Sequence, residues 1–136
     1  MVQITVDLSS GLPIYLQVMD QIKKAIAVGR LLPDTALPSV RQLATELRIN
    51  PNTIARAYRE LEYEGFLYKR AGAGTYVSDQ SIEMSREEKQ AQVGGLLEKA
   101  IIEGLHLDLN ETDIREAFEE TIQKVIDISD ATIQKK

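Results

Sequence analysis

The chain has 136 residues, of which 43% are hydrophobic and 27% charged, with a formal net charge of −5. That length suits one ordinary domain or two small ones, and the mixed composition argues for a folded protein rather than a disordered one. Cysteine is absent, which excludes disulfides, thiolate metal sites and a cysteine nucleophile, and with no signal-like start and no run of about 18 apolar residues the expectation is a cytoplasmic protein without a membrane partner.

Residues 2–8 alternate, with Val2, Ile4, Val6 and Leu8 on one side and Gln3, Thr5 and Asp7 on the other, which predicts a strand. Ser9-Ser10-Gly11 breaks the pattern, and Pro13 can open a helix to about Val28 with Tyr15, Val18, Met19, Ile22 and Ile26 as its apolar stripe. Gly29 ends that helix, Leu31 to Asp34 form a turn, and Leu37 with its neighbours can add a short strand.

From Leu37 to Val77 each piece carries its own start and stop chemistry. Ser39 with Gln42 has the spacing of a capping box. After a turn at Leu47 to Asn50, Asn50 is the N-cap of a second helix with Pro51 at its first position. That helix continues to Glu64 and stops at Gly65, a residue suited to the left-handed conformation beyond a helix end. Two β-type runs, Phe66 to Lys69 and Thr75 to Val77, flank the hairpin tip Ala71-Gly72-Ala73-Gly74. Helix, turn, helix and hairpin make a winged helix-turn-helix, which sets one helix in the major groove of DNA.

Ser78 to Ser81 is polar and reads as a domain boundary. Ser85 with Glu88 has the spacing of another capping box, starting a helix to about Glu103 that Gly104 closes and the Gly94-Gly95 pair weakens. Asn110 caps a last helix, with Asp113 near its positive end. The apolar stripes of these two helices include Val93, Leu97, Ile101, Ile114, Phe118, Ile122 and Val125. A helical pair of this size buries little by itself. A second copy of the chain is the simplest cover, making a four-helix arrangement about a twofold axis, and the same residues are then the dimerisation residues. Folding back onto the winged domain is the other possibility. The predicted fold class is α+β: a winged helix-turn-helix domain over residues 1–78, then a small all-α helical-hairpin dimerisation domain over residues 79–136.

Net acidity speaks against nucleic acid only until the chain is divided. Residues 1–79 hold nine basic and eight acidic side chains, a net of +1, whereas residues 80–136 hold seven and thirteen, a net of −6. DNA binding depends on a local positive face, not on the sum. Arg41 lies in the first turn of the helix before the recognition helix, where arginine reaches a phosphate or a guanine edge. Ser39 joins it at the start of that helix. Asn52 and Thr53 stand at the amino end of the next helix, and Arg56 follows one turn on, on the same face. Ile54, Ala57, Leu61 and Tyr58 point into the core, Arg48 and Arg59 are backbone clamps or plain surface, and Tyr63 and Glu64 are structural. At the wing, Lys69 and Arg70 precede Gly72 and Gly74, whose backbones can approach a sugar-phosphate strand closely, and Arg70 and Gly72 complete the expected DNA-binding residues.

Nothing supports catalysis, a metal site or a cofactor. The single histidine, His106, sits in the expected loop between the last two helices, without the ligand pattern a metal demands. No phosphate-binding glycine loop and no nucleophile motif appears.

The run LPSVRQLATELRINPNTIARAYRELEYEGFLYKRAGAGTYV, with PIYLQVMDQIKKAIAVGRLLPDTALPSVR before it, resembles the DNA-binding domain of GntR-family bacterial transcription regulators over about residues 12–78. The resemblance implies DNA contacts at Arg41, at Asn52, Thr53 and Arg56, and at Gly72. Related wings carry a basic residue between two glycines, where this chain has Ala73. The short tail resembles the YtrA type of the family, which implies a dimeric repressor binding an inverted-repeat operator, often near transporter genes. Two other readings stand beside it: a winged-helix module that binds protein, with a vestigial DNA surface, and a repressor gated by a small molecule held in the helical tail.

Overall fold

The computed structural model describes residues 2–79 and 84–134, with side chains as far as Asp127. The chain divides into two compact units that part between Gln80 and Ser81. Of the predicted linker, Ser78 and Asp79 are irregular, and Gln80 and Ser81 lie outside the described residues.

The N-terminal unit is built from three helices and a hairpin: α1 (Ile14–Ala27), α2 (Val40–Leu47), α3 (Pro51–Tyr63), β1 (Leu67–Arg70) and β2 (Gly74–Val77). Its core draws Val18, Ile22, Leu43, Ile54, Leu61 and Val77 from all five elements but β1, which adds Leu67. Each large aliphatic side chain so buried stabilises the domain by about 1.5–3 kcal/mol. α1 and α2 pack against α3, and α3 also meets β1. The strands pair antiparallel, with Tyr68 opposite Tyr76 and Arg70 opposite Gly74. The segment before α2 adds the expected edge: Ala36 bridges Tyr76, and the Leu37 N–H donates to the Thr75 carbonyl at 2.9 Å.

Residues 2–8 are not a strand. The backbone here has no neighbouring strand to pair with, and two glutamines of α1 take its place. The Gln21 carboxamide donates to the Thr5 carbonyl at 2.6 Å and accepts from the Thr5 N–H at 3.0 Å. Gln17, buried, does the same to Asp7 at 2.9 Å in each direction. The predicted alternation is still used as far as Asp7, since Ile4 is buried and Val2 and Val6 are half-buried while Gln3, Thr5 and Asp7 are exposed; Leu8, expected on the inner side, is exposed.

The second unit holds α4 (Arg86–His106) and α5 (Glu111–Gln134) as far as Asp130. Ser85 Oγ accepts from the Glu88 N–H at 3.1 Å, as its spacing predicts. A reciprocal cap forms at Asn110 and Asp113, each side chain accepting from the other's N–H, at 2.9 and 3.0 Å. Gly104 does not close α4. The helix runs one half-turn further, so His106 is its last residue and not a loop residue, and Asp108 makes the left-handed reversal at φ 62°. Gly104 is instead a point of close approach: a Cβ there would meet Ile114 Cγ1 at 3.1 Å.

Candidate nucleic-acid interface

The helix-turn-helix is fixed by its caps. Ser39 Oγ accepts from the Gln42 N–H at 3.0 Å, and the Gln42 side chain accepts from the Ser39 N–H at 2.9 Å. α2 ends on Arg48, left-handed at φ 56°, and α3 starts two residues later under Asn50, whose Oδ1 accepts from the Asn52 N–H at 2.8 Å. Tyr58 ties the two helices together. It is buried and its hydroxyl donates to the Pro38 carbonyl at 2.8 Å, just before Ser39. Burial, with a smaller contribution from Glu46, pushes that hydroxyl well above its ordinary pKa of 10.0.

On this frame Arg41, Asn52 and Arg56 are exposed and Thr53 is half-buried. Asn52, Thr53 and Arg56 share one stripe of α3 by helical spacing, and Arg41 stands in the first turn of α2. Arg41, Arg48, Arg56 and Arg59 make no ion pair among the described residues. Arg56 has a support the sequence did not reveal: its guanidinium lies 3.8 Å from the Tyr15 ring centroid on α1. Stacking of this kind holds the arginine while leaving its edge free for hydrogen bonds. Ser39 is exposed, but its hydroxyl is engaged in the cap.

Opposite faces of α3 divide as expected, with Ile54, Ala57, Tyr58 and Leu61 all buried. Glu64 is structural, paired to Lys23 at 3.1 Å. Tyr63 is not: the polypeptide turns away after it and the ring is 90% exposed.

At the wing, the Ala73 N–H donates to the Arg70 carbonyl at 3.0 Å and closes a turn in which Gly72 takes φ 73°. A Cβ on Gly72 or Gly74 would meet nothing within 4 Å, so backbone conformation and not crowding calls for glycine there. Arg70 is not a free cation. Its Nη2 donates to the Tyr68 hydroxyl at 2.8 Å and lies 3.6 Å from Asp34 Oδ1, and its guanidinium is 4.1 Å from the Tyr76 ring centroid. The Tyr68 hydroxyl in turn donates to Asp34, which holds that phenol above its ordinary pKa. Neither the facing of the two tyrosines nor the arrival of Asp34 from outside the hairpin was read from the sequence.

Among the described residues no group of three or more His, Cys, Asp or Glu side chains could hold a metal, and no helix is long and apolar enough to cross a membrane.

The comparisons bear on this interface directly. The family described as bacterial regulatory proteins, gntR family, matches residues 14–77, from the start of α1 to the end of β2. The chain is 40% identical over 100 residues to the HTH-type transcriptional repressor YtrA of Bacillus subtilis, covering 74% of this chain and 77% of that one. A solved transcriptional antiterminator from Listeria monocytogenes EGD-e matches at a TM-score of 0.78 and 30% identity, over 92% of this chain and 93% of its own. The AraR DNA-binding domain in complex with operator ORX1 matches at a TM-score of 0.51 and 30% identity, over 57% of this chain and all of that one. With a winged helix-turn-helix that carries exposed cations on α2 and α3, a family match over residues 14–77 and 40% identity to YtrA over 74% of this chain and 77% of that one, the chain belongs to the GntR family of bacterial transcriptional regulators.

Proposed function

We propose that the protein is a homodimeric repressor that binds an inverted-repeat operator, with α3 of each copy in the major groove. Arg41 and the Asn52, Thr53 and Arg56 stripe are the base and phosphate contacts, with the Ser39 end of α2 and the Gly72 turn of the wing lying along the backbone. Dimerisation runs through Val93, Leu97, Ile101, Ile114, Phe118, Ile122 and Val125. The observation that carries this reading is the state of the tail. Ile114 is half-buried at the Gly104 joint, while Val93, Leu97, Ile101, Phe118, Ile122 and Val125 remain exposed in the single chain. Such a continuous apolar surface is stable in water when another protein face covers it. A twofold built there brings two copies of α3 to one duplex, which an inverted repeat matches.

The test is titration of a self-complementary duplex at several salt concentrations, with the mass of the complex measured in parallel. Two chains per duplex and an affinity falling steeply with salt are expected, because phosphate contacts release counterions. Salt-insensitive binding, or none, would instead favour the protein-binding module that the acidic balance and Ala73 suit.

A further inference from the structure

The cations of the wing are tied to carboxylates from elsewhere in the domain, whereas Arg41, Arg48, Arg56 and Arg59 of the helix-turn-helix make no ion pair among the described residues. Lys69 Nζ lies 3.9 Å from Glu62 Oε2 near the end of α3, and Arg70 Nη2 lies 3.6 Å from Asp34 Oδ1 in the α1–α2 connection. The Asp34 arrangement is the more constrained. Asp34 holds a left-handed backbone at φ 65°, a conformation natural to glycine and costly for most other residues. Its N–H donates to the Val77 carbonyl at 2.8 Å, which fixes the residue to the sheet edge. Its carboxylate accepts from Tyr68, Tyr68 accepts from Arg70, and Arg70 lies over Tyr76, itself stacked on Tyr68 with centroids 5.8 Å apart. Strand register places Tyr68, Tyr76 and Arg70 on the outward face, opposite the buried Leu67 and Val77. The tip from Ala71 to Gly74 carries no charge.

We infer that Asp34 is a specificity-determining residue: by holding Arg70 through Tyr68 along the wing, it withholds that cation from the sugar-phosphate backbone. A wing neutralised in this way adds little sequence-independent attraction, and the discrimination between operator and random DNA rests on α2 and α3. This inference depends on the proposed reading that the wing lies beside DNA.

Four proteins test it: the wild type, Asp34→Asn, Arg70→Gln and the double variant. Asparagine tolerates the left-handed backbone and removes only the charge. Each is titrated with an operator duplex and a random duplex across salt concentrations, with thermal melts as a control on folding. In Asp34→Asn, binding to the random duplex strengthens and its salt slope steepens by about 2 for a dimer, since each freed cation adds about 0.9. The operator-over-random preference falls accordingly, and the double variant returns to the wild-type slope. Tyr68→Phe, which breaks the relay without changing charge, moves binding in the same direction and serves if Asp34→Asn melts early. The inference is overturned if wild type binds its operator and Asp34→Asn leaves random binding unchanged. It is equally overturned if the gain persists in the double variant, because Asp34 would then act as a plain negative charge. A wild type that ignores every inverted repeat removes the proposed function itself, and this inference with it.

Discussion

Arg56 stacks on Tyr15 and stands on the stripe proposed to meet DNA, so its removal has two separable effects. Arg56→Ala is expected to cost about 1–3 kcal/mol of specific binding and about 0.5–1 kcal/mol of folding stability from the lost ring contact. Arg41 has no such partner among the described residues, so Arg41→Ala should lower operator affinity by a similar amount and leave the melting temperature in place. Fluorescence anisotropy with an operator duplex, beside thermal melts, checks both; two variants of undiminished affinity and selectivity would show that DNA lies elsewhere. Tyr58 gives a pH test. Its neutral form is favoured in the fold, because burial raises its pKa, so its contribution is complete below pH 10 and is lost as the pH rises further. Tyr58→Phe removes the bond to the Pro38 carbonyl, at a cost of about 1–2 kcal/mol near neutrality. It should also flatten the loss of stability as the pH rises above 10. Urea unfolding across that range decides; parallel profiles for the two proteins would contradict the assignment.

Caps set the register of the reading element, and here the sequence was most informative. Ser39 with Gln42, Asn50 with Pro51, and Gly65 state in local chemistry where α2 and α3 begin and end, and the structure agrees within a residue or so. Asn50→Ala is expected to cost about 1 kcal/mol through the lost cap, read as a lower melting temperature of the N-terminal unit. Features that depend on residues distant in sequence were not legible. The alternation of residues 2–8 gave no sign that Gln17 and Gln21 would replace a partner strand. Likewise, Gly104 resembles a helix stop until Ile114 is seen against it. Gly104→Leu should force Ile114 aside and destabilise the tail by about 1–3 kcal/mol through overpacking. A tail of unchanged stability would mean that the α4–α5 joint is not close-packed. The exposure of the α2 and α3 cations was legible for the same local reason as the caps. Tyr15 under Arg56 and Asp34 beside Arg70 were not, since each pair joins elements that only the fold brings together.

Across the whole molecule, the net charge of −5 places the attraction for DNA in a small patch that a single copy presents once. The proposed pairing through the tail would double the patch and convert the second contact into an intramolecular one, which raises affinity without any new interaction. Ile122→Asp sets a charge in the proposed seam and should yield monomers by light scattering, with operator affinity reduced by about 10²-fold or more; an unchanged mass would place the seam elsewhere. The most direct measurement of the central claim is selection of bound duplexes from a random DNA pool by the full chain. The account predicts a twofold-symmetric consensus, its half-site centres about one helical turn apart or a near multiple of it. A consensus made of one unrepeated half-site, or no enrichment at low salt, would contradict it.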